Sequence, residues 1–294
     1  VSQSKEILIR ARKQGIALGA FNAGNLEIVK AVVAAAKAKN SSVIIEASSG
    51  EINHFGMKNF LSVVKNLSEG LSFPVLTNLD HGPGLEECQA AIEAGFDLVH
   101  FDGSRLPLEE NLKITKILVE QAREKDVLIE AEIDPIGNHS QAYSQDPEAV
   151  QSQYEYTDPQ VAHDFVAETG VDLLAVFVGN LHGVYPSSPK LDLERLKLIS
   201  QETDCFLSLH GGSGLVSDDI KIAIAVGKIV KINVNTELRI AFKETLSNVF
   251  RGSEELAVYK LMPPVEAAIQ NAVEEKIDLF SQGALNQEEI NHEV

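Results

Sequence analysis

Cysteine is scarce in this sequence, with only Cys88 and Cys205 among 294 residues. That excludes a disulfide framework, and without a C-x-x-C pair there is no structural zinc knuckle. Both cysteines fall in apolar patterns and read as core residues, because a free thiol behaves as a small hydrophobe. Long apolar runs are missing too. No stretch approaches the roughly 18 residues that span a bilayer. The N-terminal V-S-Q-S-K-E-I-L-I-R lacks the apolar segment of a secretory signal. A cytoplasmic protein with no membrane partner is expected. Positive charge is short: 25 Lys and Arg against 43 Asp and Glu leave a formal net charge of −18. Such a surface repels nucleic acid, so that partner is not expected either. An anionic small molecule then needs a local pocket of amides or basic groups. Gly/Ser-rich linkers and low-complexity tracts are also absent, which predicts one domain over residues 1–294.

What recurs instead is a short apolar run followed by an amphipathic stretch. The runs are 16–22, 42–48, 73–80, 96–102, 127–133, 172–179, 205–210 and 229–235. Most are near-continuous and β-branched, as buried parallel strands are. Helical patterns lie between them. One runs from Leu26 to Ala38 after Asn25, and one from Leu85 to Ala94 before Gly95. Others span Pro107 to Lys125, and Asp158-Pro159 to Thr169 before Gly170. Eight strands alternating with helices predict an α/β fold, a (β/α)8 TIM barrel over about 15–250. A doubly wound open sheet is the alternative. A C-terminal helical extension over about 253–294 follows, placed either outside the barrel wall or against a neighbouring subunit.

On such a barrel the chemistry collects at the C-terminal ends of the strands. The third run ends in Asp80-His81-Gly82, the fourth in Asp102-Gly103-Ser104, and the fifth carries Glu130 and Glu132 on one face. The sixth leads to His182-Gly183, the seventh to His210-Gly211-Gly212-Ser213-Gly214, and the eighth to Asn233-Val234-Asn235-Thr236. His81, His182 and His210 each precede a glycine. Three imidazoles and an open position describe a catalytic zinc site. The glycines are expected to let the backbone turn and a substrate approach. His54, His163 and His292 read as surface or packing residues. The G-G-S-G turn offers consecutive amides before a helix, an anion nest that Asn233 and Thr236 complete. Asp80 either positions His81 or moves a proton at the reacting carbon. Asp102 and Glu132 are either hydrogen-bond partners of the histidines or alternative ligands.

The stretches N-L-D-H-G (78–82), F-D-G-S-R-L-P-L-E-E-N (101–111), I-E-A-E-I (129–133), Y-T-D-P (156–159), G-N-L-H-G-V-Y (179–185), L-H-G-G-S-G (209–214) and K-I-N-V-N-T-E-L-R (231–239) resemble the class II fructose-bisphosphate and tagatose-bisphosphate aldolase family. The resemblance runs from about Phe21 to Arg239. It implies a retro-aldol reaction on a ketose phosphate, with dihydroxyacetone phosphate as donor fragment and no Schiff-base lysine. It implies one zinc per subunit on His81, His182 and His210, a monovalent cation, and a homodimer or homotetramer. Asp80 then protonates the C4 hydroxyl in synthesis and removes that proton in cleavage. Gly183, Gly211, Ser213, Asn233, Asn235 and Thr236 form the donor and phosphate cradle, and Asn22 and Ser48 lie near the substrate.

Three stretches depart from the family pattern. The loop 134–141 reads D-P-I-G-N-H-S-Q, without the family's proton-shuttling glutamate. His139 either replaces that base, with an ordinary pKa near neutrality, or has no role. Pro186 stands where many members have a phosphate-binding lysine, and no D-P-R segment occurs around Glu255 to Pro263. These departures predict an altered acceptor, a monophosphate substrate with an uncharged or differently charged aldehyde half. The alternatives are a standard fructose- or tagatose-bisphosphate aldolase and a non-catalytic sugar-phosphate binder.

Overall fold

The computed structural model describes residues 2–137 and 139–282. The apolar runs form eight parallel strands: β1 (Leu18–Asn22), β2 (Val43–Ser48), β3 (Val75–Gly82), β4 (Leu98–Asp102), β5 (Leu128–Glu132), β6 (Leu173–Ala175), β7 (Phe206–Leu209) and β8 (Ile229–Val234). Each pairs with its neighbours in sequence and β1 closes onto β8, so the sheet is a barrel and not an open doubly wound layer.

Helix α1 (Gln3–Gln14) precedes the barrel, and α2 (Leu26–Lys39) joins β1 to β2. The next are α3 (Ser49–Phe55), α4 (Met57–Ser68), α5 (Leu85–Ala94) and α6 (Leu108–Glu124). After β5 come α7 (Pro147–Gln151), α8 (Pro159–Thr169), α9 (Leu193–Glu202), α10 (Ser217–Gly227) and α11 (Thr236–Gly252). The extension holds α12 (Val258–Leu261) and α13 (Pro263–Ser281). The expected stops and starts are built as the residues dictate. Asn25 Oδ1 accepts the Ile28 amide at 3.0 Å, and Asp158 Oδ1 accepts the Gln160 and Val161 amides at 2.8 and 3.1 Å. Gly95 and Gly170 end their helices at φ 92° and 63°. Among the described residues no helix is long and apolar enough to cross a membrane.

One strand differs from the sequence expectation, and the extension takes the first of its two expected placements. β6 stops at Ala175 although the apolar run continues to Gly179. The Phe177 amide donates to Thr157 Oγ1 at 2.9 Å and the Val178 amide to Asn180 Oδ1 at 2.8 Å, which removes both from the ladder. The extension packs on its own barrel: α13 buries Val265, Ile269, Val273, Ile277 and Phe280, one per turn, against α2 and α11. Residues 283–294, including His292, lie outside the described residues.

Side chains inside the barrel form layers. At the N-terminal end, Leu18, Ala20, Ile44, Leu76, Leu98, Leu128, Leu173 and Phe206 pack together, and α1 covers them with Ile7, Leu8 and Ala11. Above this apolar floor lie Glu46, Asn78, His100, Glu130, Ser208 and Lys231, all with no exposed surface. Lys231 Nζ donates to Glu130 Oε2 at 2.7 Å and stands 3.5 Å from Glu46 Oε2. Burial opposes the charge on Glu130, but Lys231 and neighbouring histidines hold it well below the usual carboxylate range. Burial and Asp80 push Glu46 up to about 8, against the pull of Lys231. In this layer Lys231 pairs most closely with Glu130, and Glu46 accepts from Asn78 Nδ2 at 2.9 Å.

A buried carboxyl that keeps its proton has a pH signature. Unfolded, Glu46 ionises near 4.5; folded, it ionises near 8, so between those values the folded state binds the extra proton. Its contribution to stability is then lost as pH rises through that window. Glu46→Gln keeps the group neutral throughout. The melting temperature of this variant relative to the parent should therefore rise between pH 5 and pH 8. A difference that stays flat across that range would show that Glu46 does not titrate there.

Candidate active site

The C-terminal ends of the strands surround a cavity of about 570 Å³. Asn22, Ser48, Asp80, His81 and Asp102 line one side of it, and His182, Gly183, Gly211, Ser213, Asn233, Asn235 and Thr236 line the other. His139 and Ser140 reach it from the loop after β5. Two of the expected site residues, His210 and Glu132, are absent from this lining. Both lie just beneath it, at 0% and 1% exposure.

Asp80 and His81 are adjacent, and in a regular strand they would face opposite sides. The end of β3 breaks that rule. The β3–β4 register shifts between Leu79 and Gly82, and His81 takes a left-handed φ of 49°. The turn is thus made by the histidine itself and not by the glycine after it, a correction to the expected role of Gly82. Gly183 and Gly211 do carry positive φ, at 106° and 66°. A Cβ on Gly211 would lie 2.2 Å from the Leu181 carbonyl oxygen, and one on Gly183 would lie 2.7 Å from that of Gln141. These two glycines are required because neighbouring loops press on each other's backbones.

Each of the three histidines has one ring nitrogen fixed by the protein. His81 Nδ1 donates to Asp102 Oδ2 at 3.0 Å, His182 Nδ1 to the Ile136 carbonyl at 3.1 Å, and His210 Nε2 to Glu130 Oε1 at 2.9 Å. Each ring has a second nitrogen, and those of His81 and His210 hydrogen-bond to each other, with His81 Nε2 donating. Two of these, His81 Nε2 and His210 Nδ1, stand 3.2 Å apart. Two nitrogens on one tetrahedral zinc at about 2.05 Å would be about 3.3 Å apart. Burial and His81 hold His182 down to about 4, and burial holds His210 well below the usual histidine range, so both keep a lone pair. Burial opposes charge on His81 too, but Asp80 and Asp102 push it up to about 9. Carboxylates that favour a proton on this ring favour a metal ion in the same place.

Ligand atoms of Asp80, His81, His100 and His210 all lie within 4.8 Å of one another, as do those of His81, Asp102 and Glu132. His182 stands outside the tighter group, its ring 5.1 Å from that of His81 and 6.0 Å from that of His210. Asp102 acts on His81 as a hydrogen-bond acceptor and is itself held by Ser104 Oγ at 2.6 Å. Glu132 uses Oε1 to accept the Ile136 amide at 3.2 Å and keeps Oε2 toward His81 and His100, at 3.7 and 3.4 Å.

Asp80 Oδ2 accepts from Asn22 Nδ2 at 3.0 Å and Oδ1 from Asn233 Nδ2 at 3.1 Å. Two residues expected at the substrate therefore also hold the candidate acid. Burial works against charge on Asp80, but His81 and its other cationic neighbours keep the carboxyl well below its ordinary range. The anion nest is narrower than the G-G-S-G turn implies. The Gly212 amide donates to the Asn233 carbonyl at 2.9 Å, and the Gly214 amide to Glu237 Oε1 at 2.7 Å. What remains is Gly211 and the N-terminus of α11, where Asn235 makes no side-chain cap and Ser213 Oγ accepts the Glu237 amide at 3.3 Å.

Several residues of the mouth had no assigned role in the sequence. Arg105 and Arg239, two basic groups, line the cavity. Arg239 is engaged, donating to Glu51 Oε1 at 2.9 Å and to the Ser140 carbonyl at 3.4 Å. His100, buried on β4, is another omission. Its spacing of two from Asp102 was the signal that placed it inside the barrel. The expected surface histidines His54 and His163 are exposed, and Cys88 and Cys205 are buried free thiols.

Comparison with known proteins agrees with this geometry. The family model described as class II fructose-bisphosphate aldolase matches residues 2–284. The chain is 39% identical to a fructose-bisphosphate aldolase of Staphylococcus aureus over 285 residues, covering 94% of this chain and 96% of that one. It is 38% identical to that of Staphylococcus epidermidis over the same length and coverage. Among solved structures it is similar to the YdjI aldolase of Escherichia coli K12, with a TM-score of 0.80 and 32% identity. That match covers 95% of this chain and 97% of the other. The chain belongs to the class II fructose-bisphosphate aldolase family and is a class II aldolase, a carbon–carbon lyase.

Proposed function

We propose that the chain cleaves a ketose phosphate to dihydroxyacetone phosphate and an aldehyde that carries its own anionic group, with one zinc ion on His81, His182 and His210. The observation that supports this most directly is the pair of imidazole nitrogens 3.2 Å apart, each on a ring whose other nitrogen is hydrogen-bonded. When bound, zinc supplies a Lewis acid that polarises the ketone oxygen.

The chain's own residues do the rest. Ionised Asp80, at the floor of the mouth, takes the proton of the C4 hydroxyl as the C3–C4 bond breaks. The bonding pair stays with the donor fragment and the aldehyde leaves; in condensation Asp80 returns the proton. His139, exposed in the cavity wall, is assigned the proton on the donor carbon. Gly183, Gly211, Ser213, Asn235 and Thr236 hold the donor phosphate at the N-terminus of α11. Asn22, Ser48 and Asn233 face the substrate hydroxyls. Arg105 follows β4, on the opposite side of the closed barrel from β8 and the cradle. A substrate anchored by phosphate at β7–β8 and crossing the metal site brings its far end toward that guanidinium. Of the uncharged and differently charged acceptors that the sequence departures left open, this supports an anionic one, with a carboxylate, or else the phosphate of the standard substrates.

Chelation should abolish cleavage, and one equivalent of zinc per subunit should restore it; full activity in metal-free protein would end the metal assignment. The two proton roles separate by assay. Asp80→Asn should lower cleavage about 10²–10⁴-fold yet retain exchange of the α-proton of dihydroxyacetone phosphate, whereas His139→Ala should lose that exchange. Normal exchange in His139→Ala would make His139 a bystander. Among ketose phosphates with distal phosphate, carboxylate or hydroxyl groups, the anionic ones should be cleaved best. Arg105→Ala should raise their KM at least about tenfold, the scale of one charge-assisted hydrogen bond, with little effect on the hydroxyl substrate. Equal losses across the panel would remove the anionic acceptor from the proposal.

A further inference from the structure

We propose that His100 is a positioning residue that holds the end of β3 in its bent form, and so sets where Asp80 and His81 point. The inference rests on His81 being a metal ligand, as argued above. Where the β3–β4 register shifts, the ladder no longer supplies a carbonyl partner for every amide. The His81 amide instead donates to His100 Nδ1 at 3.2 Å. His100 is fully buried, so water cannot take over that bond. A backbone N–H only donates, so Nδ1 carries the lone pair and the ring proton is on Nε2, which stands 3.4 Å from Glu132 Oε2 without a hydrogen bond to it. Contact between the strands is close here: a Cβ on Gly82 would lie 3.0 Å from the His100 carbonyl oxygen.

Two residues further along the same face of β4, Asp102 accepts from the His81 ring. β4 therefore grips His81 twice, by its backbone through His100 and by its imidazole through Asp102. Asp102 sets the ring orientation. His100 sets the left-handed turn that brings two consecutive side chains into one mouth.

Two substitutions separate acceptor from volume. His100→Leu fills the space without an acceptor, whereas His100→Asn places its carbonyl oxygen near the Nδ1 position. Zinc affinity by chelator competition, melting temperature of the metal-free protein, and kcat and KM would be measured on both and on the parent. The leucine variant should bind zinc about 10–100-fold more weakly, the usual effect of losing a partner that orients a ligand. Its kcat should fall with little change in KM. The asparagine variant should recover most of the affinity. Unchanged zinc binding in the leucine variant, or equally weak binding in both, overturns the inference. If the leucine variant does not fold, the asparagine variant alone decides: near-parental affinity supports the inference and weak binding overturns it. A parent protein that binds no zinc removes the ligand assignment and this inference with it. Tight binding by both the parent and the leucine variant removes only this inference.

Discussion

One buried carboxylate ties the interior of the barrel to its mouth. Glu130 accepts from Lys231 Nζ at 2.7 Å, from His210 Nε2 at 2.9 Å, and from the Ser208 hydroxyl. Taking a carboxylate and an ammonium out of water costs several kcal/mol per ion, and only close pairing with further hydrogen bonds offsets it. The contacts that offset that cost also fix the tautomer of His210. Its Nδ1 can then hold only a lone pair, and it faces the corresponding nitrogen of His81. Stability and chemistry meet in this residue. A change at Lys231 would unbalance Glu130, and through it the ring above.

The mouth is assembled by two different kinds of local constraint. On the β3 side a histidine adopts a backbone conformation uncommon outside glycine, and a buried imidazole on the next strand receives its amide. On the β6–β7 side glycine is used, because the Leu181 and Gln141 carbonyls leave no room for a Cβ. Between them, Asn22 and Asn233 hold Asp80 from either flank, so its orientation does not depend on the substrate being present. Such preorganisation avoids reorientation when the proton moves.

The sequence made the alternation of strands and helices plain, because buried parallel strands are apolar throughout and caps such as Asn25, Asp158, Gly95 and Gly170 act locally. It made the three histidine–glycine ends plain as well. Less was visible where a result depended on a distant partner. The length of β6 is decided by Thr157 and Asn180, which remove its amides from the ladder. α3 and α4 fill a connection whose weak pattern gave no reading. His100 was overlooked because it is not followed by glycine, although its period with Asp102 marks it as inward. Arg105 and Arg239 stood within recognised stretches, but a cation's role follows from which loop carries it to the rim, and that is a property of the closed barrel. Two amides of the G-G-S-G turn are engaged by Asn233 and Glu237, which no local pattern reveals.

The floor of the barrel has a kinetic meaning. Its N-terminal end is filled by an apolar layer and covered by α1, so molecules enter and leave from one side only. Ser213 and Thr236, at 3% and 2% exposure, lie deep, whereas Arg105 stands at the exposed rim. A fragment held at the cradle has its exit blocked by whatever occupies the rim. With the donor fragment at the cradle and the acceptor at the rim, as proposed, the two halves would depart rim first and cradle last, and in the reverse direction the donor would load before its acceptor.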